Sequence, residues 1–196
     1  ISVAKLNKLT TQKHQGAIAW LAPVAWASLS HVIQASYEQG KMPLVLILDS
    51  VTDVRNLGAI VRTAVCAGVD ALVIPTQGSA SIGSDAMKTS AGALVHLPIC
   101  RVGSLSATIQ YLQASGLQVI ACYEKTTASL YQTELNVPLA ILLGNEEKGI
   151  KTELLQRADK QVCIPMTGVM GSLNVSVAAA VILYESFRQR QSAGIS

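Results

Sequence analysis

The sequence predicts an α/β protein, a parallel sheet flanked by helices. Three observations carry that expectation. From about residue 44, short apolar runs alternate with helical segments. The runs are apolar nearly throughout rather than at every second residue, as in strands buried on both faces. Helices fall between successive runs, as parallel strands require. Composition agrees: of 196 residues, 50% are apolar and 14% charged, enough for a large core and too apolar for disorder.

Residues 1–43 read differently from the rest. KLNKLTTQKHQ is polar, GAIAWLAPVAW holds both tryptophans, and SLSHVIQASYEQGK reads as a helix. Ser28 or Ser30 would cap that helix and Gly40 would stop it. This region is expected to be the end of a preceding module plus a connecting helix, so that the chain is a fragment of a longer protein. The domain proper is expected over 44–196. Its strands are expected at 44–48 (LVLIL), 71–74 (ALVI), 95–99 (VHLPI), 119–122 (VIAC), 139–143 (LAILL) and 161–164 (QVCI). Helices are expected at 57–67, 84–90, 104–115, 152–157 and 174–190. In such sheets ligands bind beyond the carboxyl ends of the strands, which directs attention to the segments after Leu48, Leu143 and Ile164.

Several classes are disfavoured. No apolar run approaches the roughly 20 residues that span a bilayer. The chain opens on Ile1 and shows no basic segment leading an apolar one, so no signal peptide is expected. A cytoplasmic setting is expected. Cys66, Cys100, Cys122 and Cys163 lie in or beside apolar segments and read as free thiols in a reducing compartment. His14, His31 and His96 show no ligand spacing, so no metal is expected. A net charge of +3 is compatible with nucleic acid without establishing it.

Three loops hold the polar residues of interest. The first follows Leu48 and includes Asp49, Asp53, Arg55 and Asn56. Asn56 reads as the N-cap of the 57–67 helix. Six residues on, about 9 Å along a helix axis, Arg62 interrupts a pattern that is apolar on nearly every side. Arginine is rarely buried unpaired. Either Asp49 or Glu146 pairs with it, or it faces a cleft that receives an anion. The second loop is GNEEKG, 144–149, where glycine at a strand end lets a ligand approach the backbone. It lacks the GxxxxGK[ST] spacing of a P-loop. The third is IPMTGVMGSLN, 164–174, in which Ser172 or Asn174 could cap the following Ala- and Val-rich helix. Lys148 and Lys151, with Arg55 and Arg62, could contact phosphates or simply be solvated.

VTDVRNLGAIVRTA, LLGNEEKGI and IPMTGVMGSLNVSVAAA resemble, in order and spacing, the three motifs of the SpoU (TrmH-like) family of RNA 2′-O-ribose methyltransferases of the SPOUT superfamily. The resemblance covers roughly residues 42–190. KHQGAIAWLAP resembles the junction that follows the small RNA-binding domain of longer members, including those acting on a guanosine of large-subunit rRNA. The resemblance implies a C-terminal deep trefoil knot, S-adenosylmethionine as cofactor, an RNA substrate and a homodimer built partly from the C-terminal helix. It implies Asn56, Arg62, Glu146, Ser172 and Asn174 as catalytic residues, and Gly144, Ile164 and Leu173 as cofactor-binding positions. Val54 stands where many members have proline, and Gly171 where an acidic residue is frequent. Rival readings are a tRNA methyltransferase of the same family, a non-catalytic RNA-binding protein that kept the fold, and a nicotinamide or flavin oxidoreductase. The last would show GxGxxG after the first strand, which NLGAIV is not.

Overall fold

The computed structural model describes residues 3–10, 15, 24–145, 147–169 and 171–194. Apart from Gln15, the KHQGAIAWLAP junction lies outside these. A single helical turn, α1 (Val3–Leu6), and α2 (Leu29–Glu38) precede the sheet. There follow β1 (Leu44–Asp49), α3 (Val54–Cys66), β2 (Ala71–Pro75), α4 (Ser84–Thr89), β3 (Ile99–Val102), α5 (Leu105–Ala114), β4 (Gln118–Cys122), β5 (Leu139–Gly144), α6 (Thr152–Arg157), β6 (Lys160–Val162) and α7 (Val175–Ser192). The strands form one sheet in the order β3-β2-β1-β5-β4-β6. Every pairing in it is parallel. β1 and β5 are its centre, in register from Leu44–Leu139 to Asp49–Gly144.

Strand alternation divides the core into two layers. Leu44, Leu46 and Leu48 face one side with α3 and α7, while Val45 and Ile47 face the other with Ile33 of α2 and Ile109 of α5. Residues 44–48 of β1 are all buried, which is why LVLIL reads as an unbroken apolar run. The chain order reverses between β1 and β5, so the crevice beyond their carboxyl ends is the switch point where such sheets bind ligands.

The two ends of the domain are tied together by Arg190 of α7. Its guanidinium donates to the carbonyls of Met42 at 2.7 Å, Pro43 at 3.3 Å and Val137 at 2.7 Å. Burial lowers its pKa from the ordinary arginine value.

Three local expectations are corrected. The strand expected at 95–99 begins only at Ile99. Pro98 has no N–H to give a ladder, and residues Ala93–His96 form a 3-10 turn entered through Gly92 at φ +83. α3 starts three residues before the expected 57, because Asp53 and not Asn56 caps it: the Asp53 side chain accepts from the Arg55 N–H at 2.7 Å. Asn56 therefore sits in the first turn. Val54 is the first helical residue, the position where proline is pre-organised. Here the Asp53 carboxylate helps start the helix without it. Finally, α3 is not apolar all round in the fold. Leu57, Gly58, Ile60, Val61 and Ala64 are buried, whereas Arg55, Arg62 and Cys66 are exposed. Residues seven apart differ by about 20° around a helix, so Arg55 and Arg62 share that solvent face.

Candidate active site

A cleft of about 550 Å³ opens beyond the carboxyl ends of β4 and β5. Leu143, Gly144 and Asn145 form one wall, with Glu147 to Ile150 from the same loop. Cys122 to Lys125, after β4, form another. Ile164, Met166 and Gly171 to Leu173 close it from the third loop, and Val175 and Ala178 of α7 lie at its base. The lining joins aliphatic surface to loop backbone and a few charges. Its volume lies in the range of small-molecule and cofactor sites.

Gly144 lines this cleft and also makes room for the chain's own return. A Cβ there would overlap the Gly149 carbonyl group and the Ile150 nitrogen. The missing side chain makes room for the protein's own loop, which folds back and exchanges hydrogen bonds between Asn145 and Gly149 at 3.2 and 2.8 Å. The Asn145 side chain organises the turn: its oxygen accepts from the Glu147 and Lys148 N–H groups at 2.9 and 3.1 Å. Gly149 itself adopts φ +66, which glycine takes at no steric cost.

Behind this loop lies a buried carboxylate. Asp49, the last residue of β1, is 0% exposed. It accepts from Ser50 Oγ at 2.9 Å and from the Lys151 N–H at 3.0 Å, and pairs with Lys151 Nζ at 3.0 Å. Asn145 Nδ2 donates to the Ser50 carbonyl at 2.9 Å.

The first and third loops meet beside the cleft. Asn174 caps α7, its oxygen accepting from the Ser176 N–H at 2.9 Å and Ser176 Oγ at 2.6 Å. Its amide Nδ2 donates to Asn56 Oδ1 at 3.1 Å. The two asparagines, 118 residues apart, thus orient one another at the N-terminal ends of α3 and α7.

Residues 43–184 match the family model described as SpoU rRNA Methylase family. The chain belongs to the SpoU methylase family. Among relatives, this SpoU chain is 39% identical over 187 residues to a tRNA/rRNA methyltransferase of Synechocystis sp.. That alignment covers 95% of the chain but only 49% of the relative, so the chain spans about half of that protein's length. Among solved structures, it resembles the SpoU methyltransferase AviRb of Streptomyces viridochromogenes, solved in complex with AdoMet. The TM-score is 0.72 at 29% identity, over 78% of this chain and 59% of that one. A structure described as an RNA 2′-O ribose methyltransferase matches at TM-score 0.70 and 32% identity, over 76% of this chain and 57% of that one.

Within the SpoU chain, the three positions expected to hold cofactor, Gly144, Ile164 and Leu173, all line the one cleft, as does Ser172. Asn56 and Asn174 are joined to each other. Arg62 is not part of the cleft lining, and it is exposed rather than buried. Asp49 is not its partner, since Asp49 pairs with Lys151. Glu146 lies outside the described residues. Sequence reasoning missed the wall after β4, Cys122 to Lys125. The signal was present: VIAC ends in the polar YEKTT, and the rule for strand ends applied there as well. Burial pushes the Cys122 thiol up to about 11, with Cys163 and Glu124 adding to the effect, so this cysteine is a neutral wall residue rather than a nucleophile.

Proposed function

We propose that this chain transfers a methyl group from S-adenosylmethionine to a ribose 2′-hydroxyl of RNA, with a guanosine of large-subunit rRNA as the target. The observation that carries this reading is the convergence of Gly144, Ile164, Ser172 and Leu173, from two distant loops, on a single cleft. The lining fits the cofactor: Leu143, Ile164, Leu173 and Val175 offer apolar cover, and the loop backbones offer donors and acceptors. Gly144, Ile164 and Leu173 would hold it. When bound, it supplies an electrophilic methyl on a sulfonium whose charge is lost on transfer, so the leaving group needs no acid.

The chain's own residues then have to align the hydroxyl, exclude water and assist loss of its proton. Ser172, at the cleft edge, and Asn174, held by Asn56, would orient the hydroxyl. Arg62 stands free of any ion pair or hydrogen bond among the described residues and points to solvent. It suits a phosphate of incoming RNA beside the target ribose, where the guanidinium charge would also stabilise the developing alkoxide. A neutral guanidinium acting as base is disfavoured by its high pKa. Glu146 would orient Arg62 or Asn56. The 2′-hydroxyl is the group that tells RNA from DNA.

Three further features belong to this reading. Residues 44–196 would form the catalytic domain, its C-terminal part threaded into a trefoil knot, with 1–43 the tail of an RNA-binding module and a connecting helix. The half-exposed Val177 and Tyr184 of α7 support a homodimer built on that helix. A cytoplasmic location is part of the same proposal; no helix among the described residues is long and apolar enough to cross a membrane.

The test is incubation of the full-length protein with labelled S-adenosylmethionine and separated rRNA and tRNA, followed by mapping of the modified ribose. Label at a 2′-oxygen of rRNA is expected. Label in tRNA alone would favour the second reading, which the tRNA/rRNA description of the Synechocystis relative keeps open. Cofactor binding without transfer to any RNA would favour a non-catalytic binder.

A further inference from the structure

We infer that Asp49 is a positioning residue for cofactor binding: it latches the 145–151 loop from behind and so sets the shape of one wall of the cleft. The inference rests on the reading of the cleft as a cofactor site. A carboxylate removed entirely from water persists only where it is paired and hydrogen-bonded. Asp49 is fully buried, and two of its three donors, the Lys151 N–H and the Lys151 ammonium, come from a residue 102 positions away. An apolar residue would extend the LVLIL run just as well within β1. What it could not do is grip the far end of the loop.

The near end is gripped by the next residue. Ser50 adopts φ +61, a left-handed conformation unfavourable for a side chain bearing a Cβ, and its carbonyl receives Asn145 Nδ2 at 2.9 Å. Residues 49 and 50 thus fasten the loop at both 145 and 151. Between those points, Glu147, Lys148, Gly149 and Ile150 face the cleft. Neither Asp49 nor Ser50 lines it, so their effect on a ligand passes through the loop.

The test is Asp49→Asn in the full-length protein, with S-adenosylmethionine affinity measured by calorimetry and unfolding by differential scanning. Ile33→Ala, a core truncation in α2 outside the cleft lining, serves as a destabilised control. Asp49→Asn is expected to raise the Kd at least about tenfold, while Ile33→Ala leaves it within about twofold. Should Asp49→Asn not fold, Lys151→Met keeps the carboxylate and removes only its cation; it too is expected to raise the Kd. Wild-type affinity in Asp49→Asn overturns the latch, as does wild-type affinity in Lys151→Met when Asp49→Asn cannot be prepared. A wild-type protein that does not bind S-adenosylmethionine overturns the cofactor site itself, and the latch with it.

Discussion

Gly144→Ala tests the construction of the cleft most directly. The new Cβ would meet the Gly149 carbonyl group and the Ile150 nitrogen well inside contact distance. Non-bonded carbons settle at about 3.5–4.0 Å, so the loop must retreat by roughly 1 Å or more. The obstructing atoms are backbone and cannot swing aside as a side chain would. Overpacking of this kind costs about 1–3 kcal/mol, and the upper end applies here. Replacing glycine restricts the unfolded chain and returns about 0.4–1 kcal/mol. A net loss of about 2 kcal/mol corresponds to a fall of roughly 4–8 °C in Tm for a domain of this size. The retreating residues line the cleft, so S-adenosylmethionine affinity should fall at least about tenfold, or about 1.4 kcal/mol. Gly58→Ala is the companion. Its Cβ would strike Thr89 of α4, outside the cleft lining. Scanning fluorimetry should show both variants destabilised, and calorimetry should show weakened binding in Gly144→Ala alone. A Gly144→Ala protein with wild-type Tm, or one destabilised yet binding normally, would refute the proposed coupling between the glycine, its returning loop and the ligand.

Arg62→Lys keeps the charge and removes the fork that grips a phosphate through two parallel bonds. Its single-turnover rate on RNA should drop at least about tenfold with cofactor affinity unchanged; a full rate would remove Arg62 from its role. Hydrogen bonds from Arg188, and then from Gln189, hold the Glu185 carboxyl below the usual range. Its contribution is present above the unfolded value of about 4.3 and is lost as pH falls through the lower folded value. Glu185→Gln should therefore lower Tm near neutrality, and the gap to wild type should close in acid. At pH 8 an alkylating reagent followed by mass spectrometry should find exposed Cys66 modified first. Cys100 and Cys122, both raised to about 11 by burial, should resist until the protein unfolds.

The sheet was legible because the physics that writes it is local. LVLIL and LAILL are continuously apolar, and the structure places them at the buried centre. VHLPI misled because Val95 and His96 belong to a turn, and only Pro98 hinted that no ladder could form before it. Arg62 misled in another way. Apolar neighbours suggested a buried helix, but the packing of α3 against α4 and α7 covers only one side of it. That is a property of the assembled layers, not of the segment. The same limit hid Asp49, which reads as a polar residue opening a loop. Its burial depends on Lys151, a hundred residues away. Gly144 was singled out for its lack of a side chain, but which atoms fill that space is decided only by the returning chain.

The grip of Arg190 on three carbonyls has a consequence for the chemistry at the other edge of the sheet. α7 runs 18 residues from its cap at Asn174, about 27 Å at the usual rise. One rod therefore reaches from the Asn56–Asn174 pair to the opposite rim, anchored at both tips. Loosening the distant anchor, as in Arg190→Gln, would let the whole rod slide or tilt, and Asn174 with it. Damage to the proposed methyl transfer can thus originate at the rim farthest from the Asn56–Asn174 pair.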